Sequence, residues 1–92
     1  MLGKTHYVNG QKVYDLDGEL LKYFYKSGAL KAEGQYEGGM MQGEWRFYSE
    51  TGELLQTGIF KDNMKDGLWI RYDSGGLAVY REEFAAGKKL RV

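Results

Sequence analysis

The stretch GEWRFYSETGELLQTGIFKDNMKDG runs from Gly43 to Gly67, and GLWIRYDSGGLAVYREEFAAGKKL restates it from Gly67 onward. Shifted by 24 positions, Gly43 falls on Gly67, Trp45 on Trp69, Tyr48 on Tyr72 and Gly52 on Gly76. One period earlier Phe24 meets Tyr48, Gly28 meets Gly52, Leu30 meets Leu54, Gly34 meets Gly58 and Tyr36 meets Phe60, which in turn meets Phe84. Self-similarity at such a period marks a repeat architecture, each unit being one supersecondary element that buries its apolar face only against its neighbours. A fainter copy precedes these. YVNGQK from Tyr7 resembles YEGGMM from Tyr36 and FKDNMK from Phe60, and its distance of 29 residues from Tyr36 predicts about five extra residues around YDLDG. The chain therefore divides as one repeat domain, 1–92, with an irregular N-terminal unit 5–28, repeats 29–52 and 53–76, and a partial C-terminal unit 77–92. Irregular end units are what capping a repeat array requires.

Each unit reads as a β-hairpin. KSGAL, SETGEL and DSGGL place Gly28, Gly52 and Gly76 where a short loop needs a positive φ. EGGMMQG, KDNMKDG and AAGKK supply a second kind of turn between units. Strand-length segments lie between the turns, and no segment sustains a 3.6-residue apolar period. Successive hairpins pair with their neighbours. The expected fold is all-β, an antiparallel meander of about three 24-residue hairpin repeats forming one elongated, twisted sheet.

Alternation assigns the faces. Trp45 and Phe47 point one way, Arg46 and Tyr48 the other. Trp69 and Arg71 share a face opposite Ile70 and Tyr72, and on the return strand Leu30, Ala32, Gly34 and Tyr36 alternate with Lys31, Glu33, Gln35 and Glu37. Rings fall on both faces, so either the sheet curls over itself or one face awaits a partner. Gly34 and Gly58 leave mid-strand gaps in which a ring from a neighbouring strand fits.

Composition narrows the function classes. A 92-residue chain is one domain, and at that size only about 60–65% of the unfolded surface is buried, so large side chains must carry the core. Eight Tyr, four Phe and two Trp supply them. Thirteen basic residues balance thirteen acidic ones, which argues against a general affinity for nucleic acid or an anionic membrane. The chain has no cysteine, which excludes disulfides and thiolate metal sites. The first residues carry no apolar signal-peptide core and no apolar run long enough to span a bilayer follows, so a cytoplasmic location is expected.

The motifs G-x-W-x-x-Y, x-G-x-L and G-x-F/Y-x-x-G/N, in GEWRFYSETGELLQTGIFKDN and GLWIRYDSGGLAVYREEF, resemble MORN-type repeats in their bacterial variant. The resemblance runs from Tyr7 to about Leu90 and is strongest from Phe24 to Phe84. That variant occurs in small proteins of the YwqK-like antitoxin family. The resemblance implies an elongated hairpin sheet and a protein that binds or neutralises a partner, and in other members a scaffold or lipid-associated role. Two positions depart from the pattern: Leu21 stands where later copies have Trp, and Glu82 where earlier copies have Gly34 and Gly58.

Catalytic chemistry finds little to stand on. His6 is the only histidine and lies near the terminus, without a cysteine to accompany it. Asp15 with Asp17 and Glu82 with Glu83 are paired acids, placed by the pattern in a turn or on the solvent side of a strand. DLDGE from Asp15 has the start of a calcium loop without its remaining ligands. GQYEGGMMQG lacks the Gly-Lys-Ser/Thr ending and the helix of a phosphate loop. The expectation is no enzyme, no cofactor and no metal.

The aromatic rows admit two readings. Tyr23, Tyr25, Trp45, Phe47 and Trp69 are either the core of the sheet or, with Arg71, an exposed recognition stripe of the residue types that dominate interfaces. The functional expectation is a protein-binding module, in its finer form an antitoxin or immunity protein that sterically covers a toxin. The alternatives are an assembly scaffold that oligomerises through sheet edges, or a membrane-associated module. The partner is expected to be a protein rather than nucleic acid or membrane, with the chain a monomer or an edge-mediated oligomer.

Overall fold

The computed structural model describes residues 2–90. They form eight strands: β1 (Tyr14–Asp17), β2 (Leu20–Phe24), β3 (Leu30–Glu37), β4 (Met40–Tyr48), β5 (Leu54–Lys61), β6 (Met64–Tyr72), β7 (Ala78–Ala85) and β8 (Lys88–Lys89). All belong to one antiparallel sheet whose spatial order is the chain order, β1 to β8. The expected meander is the observed fold.

Two kinds of turn alternate along it. Between β2 and β3, the Gly28 N–H donates to Tyr25 O at 2.9 Å and the Tyr25 N–H to Ala29 O at 2.9 Å. The Ser49–Glu53 and Asp73–Leu77 loops repeat both bonds. Gly28, Gly52 and Gly76 sit at φ 93°, 92° and 83°, the left-handed position that closes a three-residue hairpin loop and excludes most side chains. The second kind uses two consecutive positive-φ residues, Gly38–Gly39, Asp62–Asn63 and Ala86–Gly87, the pattern of a type I′ turn.

The N-terminal unit departs from the expected alignment. The Tyr7 N–H donates to Gln11 O and the Gly10 N–H to Tyr7 O, with Gly10 at φ 88°. YVNGQ is thus the counterpart of the three-residue loop at Tyr25, not of the two-residue turns after Tyr36 and Phe60. Tyr7 precedes Tyr25 by 18 residues rather than 24, so this unit is shortened, not lengthened by five. The loss falls in β1 and β2, which have 4 and 5 residues against 8 and 9 in β5 and β6. The Tyr-x-x-Gly spacing is shared by both turn types, and this led the alignment to the wrong one. At the other end of the described residues, β8 is two residues long.

Bulges recur with the same period. Lys31, Leu55 and Val79 are surplus residues where Phe24 faces Leu30, Tyr48 faces Leu54 and Tyr72 faces Ala78. A larger jump sets Gly34 against Trp45 but Gln35 against Gln42, leaving Gly43 and Glu44 surplus. The same jump leaves Gly67 and Leu68 surplus on β6. Gly43 and Gly67 adopt φ 68° and 66° there. Bulges bend a strand and increase its twist, which lets a single layer fold toward its own aromatic face.

The core sits within that one layer. Leu21, Ala32, Trp45 and Trp69 are the buried hydrophobic residues among those described. Each tryptophan lies flat along the sheet instead of standing on it. The Trp45 indole covers Gly34 on β3 and the Trp69 indole covers Gly58 on β5, so closely that a Cβ on either glycine would overlap the ring. The indole N–H donates to a carbonyl at the register jump, Trp45 to Gln35 O at 3.0 Å and Trp69 to Ile59 O at 2.9 Å. The mid-strand gaps read from the sequence are therefore filled by the tryptophan of the next strand. Leu2, Tyr14, Tyr36, Met41 and Phe60 pack around the first of these nests.

Candidate functional site

Alternation places Tyr14, Tyr23, Trp45, Phe60, Trp69 and Phe84 on one face, and neighbouring rings of the row have centroids 5.0–6.4 Å apart. Separations of this size, many of them edge-to-face, suit the aromatic quadrupole. The six residues singled out from the sequence do not form one stripe. Trp45 and Trp69 are the floor of the row, at 1% and 3% exposure. Phe47 is half-buried between them, its centroid 6.3 Å from Trp45 and 5.9 Å from Trp69. Tyr23 is half-buried, and burial foremost, with Tyr36 and Tyr14 beside it, pushes its phenol pKa up. The Tyr25 hydroxyl donates to Tyr48 O at 2.7 Å, under the Lys31 ammonium. That bond closes the β2–β3 loop onto β4, as the Tyr7 hydroxyl closes the preceding loop onto Phe24 O. Arg71 is the one exposed member.

Arg71 belongs to a cluster that sequence reasoning missed. Its guanidinium lies 5.7 Å from the Tyr80 ring centroid on β7. The Lys89 ammonium approaches the same ring and bonds the Tyr80 hydroxyl at 3.3 Å and Glu82 at 3.0 Å. Hydrogen bonding to Lys89 holds the Glu82 carboxyl below its usual range, and the same contact raises Lys89. The legible signal was Glu82 in the glycine position of the repeat: where Gly34 and Gly58 receive a tryptophan, Glu82 receives a lysine.

The opposite face carries charged groups along its length, Glu33 and Arg46 toward the N-terminus, and Arg81 and Glu83 beside Leu68 and Ile70 toward the C-terminus. Glu33 accepts from the Tyr48 hydroxyl at 3.0 Å, and Arg46 pairs with Glu44 at 3.2 Å. One period on, Thr57 stands in for Glu33 opposite the Tyr72 hydroxyl. Burial first, and Glu33 second, push the Tyr48 phenol up. Two shallow clefts of about 480 Å³ flank the sheet. One is lined by Glu19, Leu20, Glu33 and Arg46, the other by Leu68, Tyr80, Arg81, Glu82 and Leu90. Both mix apolar and charged groups.

The remaining candidate groups lie apart. His6 is exposed and its Nδ1 meets Thr5 Oγ1 at 3.0 Å. Asp15 pairs with Lys12 at 3.5 Å, and Asp17 is exposed next to the β1–β2 turn. Among the described residues no three His, Cys, Asp or Glu side chains gather as metal ligands, and no helix is long and apolar enough to cross a membrane.

Residues 20–37 and 41–62 each match the family model of the MORN repeat variant. The matched segments coincide with the hairpins β2–β3 and β4–β5, so the family unit is framed one strand earlier than a division at residues 29 and 53. Two successive hairpins of the sheet thus carry the MORN repeat variant, over 18 and 22 of the 92 residues. No curated protein and no solved structure matches the chain.

Proposed function

We propose that this chain is a non-enzymatic protein-binding module, and in its most specific form an antitoxin or immunity protein that covers the working surface of a toxin. The observation that carries the reading is where apolar surface remains uncovered. Among the described residues, six of the ten exposed large hydrophobics lie from Met64 onward: Met64, Leu68, Leu77, Val79, Tyr80 and Leu90. The accessible surface, 6254 Å², exceeds by roughly 800 Å² the value of about 5,400 Å² expected for a compact monomer of this mass. About 800 Å² is one partner's share of a standard protein interface. Tyr80, flanked by Arg71 and Lys89, has the composition of an interface anchor. The balanced net charge favours this reading over a membrane surface.

The test is affinity capture from lysate of the source organism with three baits: wild type, Tyr80→Ala with Leu68→Asp, and Leu20→Asp at the other end of the sheet. The expected result is one stoichiometric protein retained by wild type and Leu20→Asp and lost from the double variant, with unchanged circular dichroism. Growth arrest on expressing that protein alone, relieved by co-expression, supports the antitoxin form. Equal capture by all three baits, or sedimentation with anionic vesicles in place of a protein partner, overturns it.

A further inference from the structure

The row of rings is built from two boxes with a shared wall. In the first, Trp45 is the floor and Phe60 stands on its edge, centroids 6.0 Å apart and planes at 90°. In the second, Trp69 is the floor, with Phe60 at 5.0 Å and 84° on one side and Phe84 at 6.4 Å and 76° on the other. Met41 packs into the first. Its counterpart 24 residues on is Lys65, opposite Phe60 in the sheet. The Lys65 ammonium stands 4.7 Å from the Trp69 centroid and 4.9 Å from that of Phe84. Among the described residues it takes part in none of the ion pairs.

We propose that the Trp69–Phe60–Phe84 box is a binding site for an alkylated ammonium cation, and that Lys65 is its tethered occupant and competitor. Three observations converge. The Trp69 indole and the Phe84 ring turn their faces to one point, with Phe60 standing on the indole as a further wall, and paired aromatic faces attract cations and recognise quaternary ammonium groups. Lys65 shows that the box holds a cation without help from a carboxylate. Met41 shows that the fold fills the same space with an apolar side chain, so the positive charge at position 65 is not a packing requirement. A quaternary ammonium spreads its charge over methyl groups and sheds water more readily than a primary ammonium, which favours it over Lys65 in a desolvated box. The inference concerns a small cationic ligand and stands independently of the protein-binding reading.

The test uses tetramethylammonium as probe, with the neutral isostere 3,3-dimethyl-1-butanol as control, followed by the indole N–H resonances of the two tryptophans. In wild type, ring currents are expected to move the Lys65 ε-methylene protons well upfield of the other lysines, and the probe to return them toward the ordinary position. Lys65→Ala, with its tether gone, binds the probe about tenfold more tightly, read from the Trp69 indole while Trp45 stays still. Lys65→Met, which copies the first box, abolishes the response and keeps the fold. The proposal is overturned by Lys65 protons at the ordinary lysine shift, by equal responses to probe and neutral isostere, or by equal movement of both indoles. The Lys65 proton shift is read in wild type, so it decides even where Lys65→Ala does not fold.

Discussion

Gly58 and Trp69 act as one structural unit. A side chain at position 58 would occupy the space of the indole, and displacing the indole breaks its bond to Ile59 O. Glycine in a strand ordinarily gives up about 0.5–1 kcal/mol relative to alanine, so a neutral site would gain stability from Gly58→Ala. Here the steric term runs the other way and is larger, about 1–3 kcal/mol for overpacking. Gly58→Ala is therefore expected to lower the urea midpoint, and Trp69→Ala to cost about 3–5 kcal/mol. Against a total of roughly 5–14 kcal/mol for a chain of this length, Trp69→Ala brings the fold near its limit. Unchanged midpoints in both variants would contradict the flat-ring packing. The glycine gaps were readable from the repeat, and so was their filling by a ring from a neighbouring strand. Which tryptophan fills which gap was not, because that depends on the bulge at Gly67, and one sequence does not reveal a register jump.

Strand existence followed from turn chemistry, since each loop carries the glycine or Asp–Asn pair that its geometry demands. The first unit escaped because YVNG fits both loop types by composition, and only the backbone bonds of Tyr7 and Gly10 tell them apart. The β5–β6 turn offers a test of what such residues contribute. Asn63 sits at φ 69°, and its Oδ1 accepts from the Met41 N–H at 2.7 Å while its own N–H donates to Met41 O at 3.1 Å. It ties this turn to the start of β4. Asn63→Gly retains the backbone freedom and removes only the side-chain bond, an expected loss of about 0.5–1.5 kcal/mol. Asn63→Ala adds left-handed strain and is expected to lose about 1 kcal/mol more. Denaturation curves for the pair separate the two contributions, and equal losses would mean that the turn imposes no conformational demand.

At the scale of the molecule, each strand pairs only with its sequence neighbours. Stability is then close to a sum of unit and nearest-neighbour terms. The thin sheet, 45 × 34 × 19 Å, has no second layer to tie distant strands together. Amide hydrogen exchange is expected to be slowest in β4 and β5, which have full neighbours on both sides, and faster in β1, β7 and β8. A uniform protection profile would instead require one cooperative block. The sheet and its period were legible because they are written three times over. The cluster of Arg71, Tyr80, Glu82 and Lys89 was not, because it forms where the pattern is broken and no second copy repeats it.

Phe60 stands as a wall for the tryptophan before it and for the tryptophan after it. A duplicated 24-residue segment would bring one floor, one gap and one shared wall, and would meet its neighbours with surfaces already fitted to each other. Such a chain lengthens by gene duplication without first having to evolve a new interior. Glu82 departs from that grammar, since it stands in the place where Gly34 and Gly58 each receive a tryptophan.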